Sequence, residues 1–148
     1  MLNIAMTALH RQLVLAIRLA GLVPTIGFLH APRSGHATLA SDLQEPFRHL
    51  MDRAVIHAAK LLKPTDFRRD TAAEHPVTIS PQALRKILGA VHGTFAHASH
   101  AAGRTDTCAY RTHMLLAARS LRRHIEDRAV RFEVFRHPET GPTEEHAP

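Results

Sequence analysis

From Leu2 to Ala20 the apolar residues Leu2, Met6, Leu9, Leu13, Ile17 and Ala20 recur at steps of three and four, which draws one stripe down an α-helix. Gly21 supplies its stop and Pro24 prevents it from resuming. Gly21, Pro24, Gly27, Pro32 and Gly35 then interrupt the chain too often for a long regular element. Gly21 to Ala40 is therefore expected to be a loop of about twenty residues, a length usually kept in compact domains for function.

Ser41 opens the next predicted helix, with Gln44 in the position of a capping-box partner and Leu43, Phe47, Leu50, Ala54 and Leu61 on one face. Pro46 leaves its start open: either Ser41 is the N-cap and Pro46 forfeits a backbone bond, or Glu45 is the N-cap and Pro46 takes the favoured first position. Both choices put Asp42 and Glu45 at a helix N-terminus, and Pro64 ends the helix after about Leu62. Asp66 to Pro76 reads as loop and Val77 to Ile79 as a short edge strand. Ser80 and Pro81 start a third helix, to about residue 98, with Leu84, Ile87, Leu88, Val91 and Phe95 as its face. A fourth, from about Thr107 to Asp127, carries Tyr110, Met114, Ala117, Leu121 and Ile125. Val130, Phe132 and Val134 alternate with charged residues as a weak strand or docking segment, and 137–148 reads as a flexible tail. The fold class is mainly α, a bundle of about four main helices with a long loop between the first two.

Composition narrows the partners. The 148 residues suit one domain, and the net charge of +6 comes from nineteen Lys and Arg against thirteen Asp and Glu. Only Lys60, Lys63 and Lys86 are lysines; the rest are arginines, whose planar fork matches phosphate oxygens. That balance favours an anionic partner, nucleic acid first, against the plain alternative of a solvated arginine-rich surface. The single cysteine, Cys108, excludes a disulfide framework, is expected to be buried and suits a reducing cytoplasm. No stretch supplies the roughly 18 apolar residues of a membrane span.

His30 follows the apolar lead-in Leu22 to Leu29, and Asp42 and Glu45 stand three apart, so that both can point to one side of a helix. One imidazole with carboxylates suits Mg2+ or Mn2+ in an open coordination sphere, and such an ion can polarise a phosphoryl oxygen. Spacing alone equally fits a helix-capping Asp42 beside a solvated His30.

Asn3 to Arg53 resembles the C-terminal helical domain of the CRISPR-associated integrase Cas-one, a spacer-acquisition endonuclease. The resemblance is carried by residues 20–30 (AGLVPTIGFLH), by residues 39–48 (LASDLQEPFR) and by Asp52-Arg53 on the same helix. It implies a metal-dependent nuclease and transesterase that inserts DNA fragments into a CRISPR array, with a small partner called Cas-two and pairing of subunits in the full-length form. It also implies His30 and Glu45 as metal ligands and catalytic residues, with Asp42 a close auxiliary. The family's first glutamate and its β-rich N-terminal domain lie upstream of the matched motifs. Residues 1–136 are thus expected to form the C-terminal catalytic domain of a fragment, inactive alone, whose first helix loses neighbours for its stripe. The alternative is a non-enzymatic basic helical domain that binds DNA.

Arg111, Arg119, Arg122 and Arg123 fall on or near one face of the fourth helix, opposite its apolar stripe, and are the leading DNA-contact candidates. Arg48 and Arg53 extend that surface, and Arg33 and His36 in the loop stand near the expected ion. His97 and His100 lack a nearby third ligand and read better as an exposed histidine face. Arg85 and Lys86 suggest a recognition helix, but no companion helix precedes them, which favours a packed bundle helix.

Overall fold

The computed structural model describes residues 1–31, 35–69, 77–101 and 105–137. Its helices are α1 (Leu2–Leu19), α2 (Thr38–Gln44), α3 (Arg48–Ala59), α4 (Pro81–Ala96) and α5 (Tyr110–Glu126). Two short antiparallel pairs accompany them: β1 (Phe67–Arg69) with β2 (Val77–Ile79), and β3 (Ala98–Ser99) with β4 (Cys108–Ala109). The mainly helical class holds, with four long helices and the short α2.

The first helix lies at the centre and packs against all four others. Ala5, Leu9, Leu13, Ala16 and Ile17 are buried along it, so the expectation that this stripe would lack neighbours is overturned. Around it gather Leu43, Phe47, Leu50 and Met51, then Val91 and Phe95, then Tyr110, Met114 and Leu121. Burial of this kind contributes about 1.5–3 kcal/mol per large aliphatic or aromatic side chain. Gly21 ends α1 at a positive φ of 77°, and the N–H groups of Gly21 and Leu22 close onto Arg18 and Ile17 carbonyls at 2.9 and 3.0 Å. This is the left-handed stop for which glycine is suited.

The region around Pro46 departs from expectation. A helix begins at Thr38, with Ala37 rather than Ser41 as N-cap, and runs only to Gln44. Glu45–Phe47 form a 3-10 turn before α3 restarts at Arg48. The proline ring removes one amide donor and crowds the preceding turn, so the predicted single helix becomes two. Glu45 opens the 3-10 turn, whereas Asp42 stands inside α2 and not at a helix N-terminus. The Gln44 side chain meets His10 Nδ1 at 3.4 Å rather than closing a capping box.

Elsewhere Ser80 caps α4, its hydroxyl accepting from the Ala83 N–H at 3.1 Å with Pro81 behind it. That helix ends at Ala96, leaving His97 and His100 outside it. Phe67–Arg69, expected as loop, pairs with Val77–Ile79. Leu61, Leu84 and Ile125 end exposed at the rims of their stripes, and Cys108 is half-buried. Residues 130–135 form no strand; Phe135 docks instead, stacked on Phe47 with centroids 4.8 Å apart. The tail expected beyond His137 and part of the expected loop, residues 70–76, lie outside the described residues. Among the described residues no helix is long and apolar enough to cross a membrane.

Candidate metal centre

The loop after α1 is tied to α2 by polar bonds rather than by a regular element. Thr38 Oγ1 accepts from the Gly27 N–H at 2.9 Å and donates to the Thr25 carbonyl at 2.7 Å. The Leu39 N–H donates to Pro24 O at 2.9 Å. Asp42 Oδ2 accepts from the N–H groups of Phe28 at 2.6 Å and Leu29 at 3.0 Å, and its Oδ1 pairs with His30 Nδ1. Gly27 makes this approach possible: a Cβ there would lie 2.6 Å from Asp42 Oδ2 and 3.0 Å from Thr38 Cβ.

The Asp42 side chain is 0% exposed and that of His30 57%. Burial pushes the Asp42 carboxyl up, but the His30 hydrogen bond, the Leu29 and Phe28 N–H groups and the charge of His30 together hold it below the ordinary 3.8. The ionised carboxylate only accepts, so His30 Nδ1 carries the proton that joins them. A neutral ring in that tautomer keeps the lone pair on Nε2. Imidazole ligands are commonly oriented in this way by a carboxylate behind them.

Glu45 follows one turn later. Its side chain is 60% exposed and meets Arg48 Nη1 at 3.7 Å, a loose surface pair. Both Asp42 oxygens are thus engaged inside the protein, while the His30 and Glu45 side chains are largely exposed. This nitrogen and oxygen set suits Mg2+ or Mn2+ in kind. Among the described residues, however, no three His, Cys, Asp or Glu side chains gather closely enough to hold an ion.

The arginine candidates separate into groups. Arg111, Arg119, Arg122 and Arg123 are exposed on α5 and fall within roughly 120° of its circumference at about 100° per residue. Arg122 is partly committed: its Nε donates to Glu126 Oε1 at 2.7 Å and its Nη1 to Ala20 O at 3.3 Å, at the end of α1. Arg53 faces a separate cleft between α3 and α4. Arg33 lies outside the described residues, and His36 meets the Ser41 hydroxyl at 3.5 Å. Sequence reasoning missed Thr38 and the loop amides of Phe28 and Leu29, which carry no local signal because their partners stand 11 to 14 positions away.

Residues 1–92 match the family model described as CRISPR associated protein Cas1. The chain belongs to the Cas1 family. It is 46% identical over 72 residues to the CRISPR-associated endonuclease Cas1 1 of Thermodesulfovibrio yellowstonii, covering 47% of this chain and 23% of that protein. It is 34% identical over 124 residues to the Cas1 1 endonuclease of Archaeoglobus fulgidus, covering 82% of this chain and 34% of that one. Among solved structures, a casposase bound to integration product superposes with a TM-score of 0.80 at 27% identity, over 90% of this chain and 37% of that chain. The chain therefore spans about a quarter to a third of the length of these two Cas1 relatives.

Proposed function

We propose that this chain is the helical, metal-site part of a DNA endonuclease and integrase that inserts spacer DNA into CRISPR arrays. In this reading His30 Nε2 and the Glu45 carboxylate are the catalytic metal ligands for Mg2+ or Mn2+, and Asp42 orients His30 rather than binding the ion. The observation that carries the reading is the Asp42 carboxylate, buried and bonded on both oxygens, which fixes the tautomer that a metal-binding His30 requires.

The ion, when bound, stabilises the charge that develops on a phosphodiester oxygen during attack by a DNA 3′-hydroxyl. His30 and Glu45 hold it, and Arg111, Arg119 and Arg123 bind flanking phosphates without reading sequence. Two protein ligands bind such an ion weakly, so a further carboxylate from outside this chain completes the set and the chain alone does not cleave DNA. A complex titled Cas6-RT-Cas1–Cas2 superposes on this fold with a TM-score of 0.76, which supports a Cas2-type partner; a second Cas1 copy belongs to the same reading.

The test joins this chain to the remainder typical of its relatives and measures Mn2+-dependent integration alongside DNA binding. His30→Ala and Glu45→Ala abolish integration and preserve binding; unchanged integration refutes the assignment. If the joined protein binds DNA but never integrates it, the chain is instead a basic helical DNA-binding domain.

A further inference from the structure

A cleft of about 810 Å³ opens between α3 and α4, away from the candidate metal centre. Arg53 and His57 come eight and twelve positions after Glu45, so at about 1.5 Å per residue they stand roughly 12–18 Å along from it. Arg53 and His57 line one wall, Lys86 the other, and His97, Tyr110 and His137 close one end. Among the described residues no carboxylate lines the cleft. Asp66 meets Lys86 from outside it at 3.4 Å.

His49 precedes Leu50 of the cleft, and its ring centroid lies 5.1 Å from that of His137. Burial first, then the charges of His137 and Arg53, push its ring toward the neutral form, against a smaller opposing effect of Asp52. Among the described residues its buried Nε2 has no hydrogen-bond partner.

Gly89 and Gly93 supply the second independent observation. Gly89 stands in the middle of α4 and Gly93 opens its last turn; glycine is the poorest helix former after proline, and both line the cleft. A Cβ at either would meet nothing within 4 Å. The packing of the described residues therefore gives no reason for glycine at these two places, whereas a ligand lying against bare helix backbone does.

We propose that the α3–α4 cleft binds a single phosphodiester strand, with Arg53 and Lys86 on its phosphates and Gly89 and Gly93 under its sugar-phosphate edge. The cleft falls in the ~300–1,000 Å³ range of small-ligand pockets, room for one or two nucleotide units and too little for a duplex. A cationic groove that tracks one backbone is the common design of single-strand sites. The choice of DNA as the strand rests on the function proposed above; the location of the site does not.

The test is fluorescence anisotropy of the whole chain with a labelled DNA strand of about ten nucleotides, with the matching duplex and a deoxynucleoside monophosphate as competitors. Wild-type chain binds the strand, and Gly89→Ala/Gly93→Ala weakens it by about five- to tenfold while raising the melting temperature, because alanine favours the helix. Arg53→Gln weakens it comparably. Unaltered strand binding by the alanine pair and by Arg53→Gln overturns the cleft and leaves the metal-site reading standing. Equal competition by duplex or by the free monophosphate overturns the single-strand assignment.

Discussion

Asp42 holds His30 by Oδ1 while its Oδ2 takes the N–H groups of Phe28 and Leu29, so one buried carboxylate fixes both the imidazole and the backbone that carries it. Asparagine has nearly the same shape but opposite hydrogen-bonding sense on one side. In Asp42→Asn the amide oxygen keeps the two N–H groups and the NH2 faces His30 Nδ1, which moves the ring proton to Nε2. Urea unfolding is expected to show a loss of about 1–3 kcal/mol, and calorimetry with Mn2+ a 10- to 100-fold weaker site. Unchanged Mn2+ affinity with an unchanged His30 tautomer, read by nitrogen NMR, contradicts the role given to Asp42.

Gly27 sets how closely the loop approaches α2. In Gly27→Ala the new methyl meets Asp42 Oδ2 at 2.6 Å and the Thr38 backbone carbon at 3.1 Å, neither at the free end of a flexible chain. A cost of about 1–3 kcal/mol is expected, with faster amide exchange at Phe28 and Leu29. Wild-type stability and exchange rates count against the approach described.

Stability should fall with pH in two stages. His49 is held below its ordinary 6.5, so it charges more readily in the unfolded chain; its contribution is full above 6.5 and is lost as pH falls through the lower folded value. Asp42 is held below 3.8 by bonds that outweigh its burial. Asp66 is held low chiefly by the Lys63 N–H and, against its own burial, by Lys86 and Ser80. The unfolded chain again binds protons more tightly, so this second contribution is present above about pH 4 and disappears below it. Urea midpoints measured against pH are expected to show both declines, with His49→Phe removing the first and Asp42→Asn reducing the second. A midpoint that rises on acidification is the contrary result.

The α5 arginines should divide by function. Arg122→Gln removes the donor that bonds the Ala20 carbonyl and is expected to cost about 1 kcal/mol of stability. Arg111→Gln, Arg119→Gln and Arg123→Gln are expected to leave stability within about 0.5 kcal/mol, while each lowers the salt slope of duplex binding by about 0.9. Equal slopes for wild type and all three variants exclude this face as the DNA surface.

Much of the fold was legible because its signals are local. Leu9, Leu13 and Ile17, or Ile87, Val91 and Phe95, recur with the helical period and are buried as that period requires. Ser80 with Pro81 marked a helix start for the same reason. Pro46 announced trouble but not its form, since a 3-10 joint and a displaced start compete closely until α1 packs against both halves. Phe67–Arg69 was illegible as a strand because Arg68 and Arg69 are exposed and its pairing residues come eight to twelve positions later. His30, Asp42 and Glu45 stood out through motif resemblance, yet whether Asp42 faced outward or inward depended on loop amides that no spacing rule addresses. The α3–α4 cleft arises from two helices separated in sequence by the β1–β2 pair, so no continuous stretch of sequence announced it.

The bond from Arg122 to Ala20 joins residues 102 positions apart, and Gly21, where the His30 loop begins, lies beneath the same guanidinium. The clamp on that starting point is made only after the segment bearing His30 has been synthesised. The loop therefore acquires its anchor only once α5 follows it, and a chain not yet elongated through α5 carries His30 and Asp42 without the support that holds their loop in place.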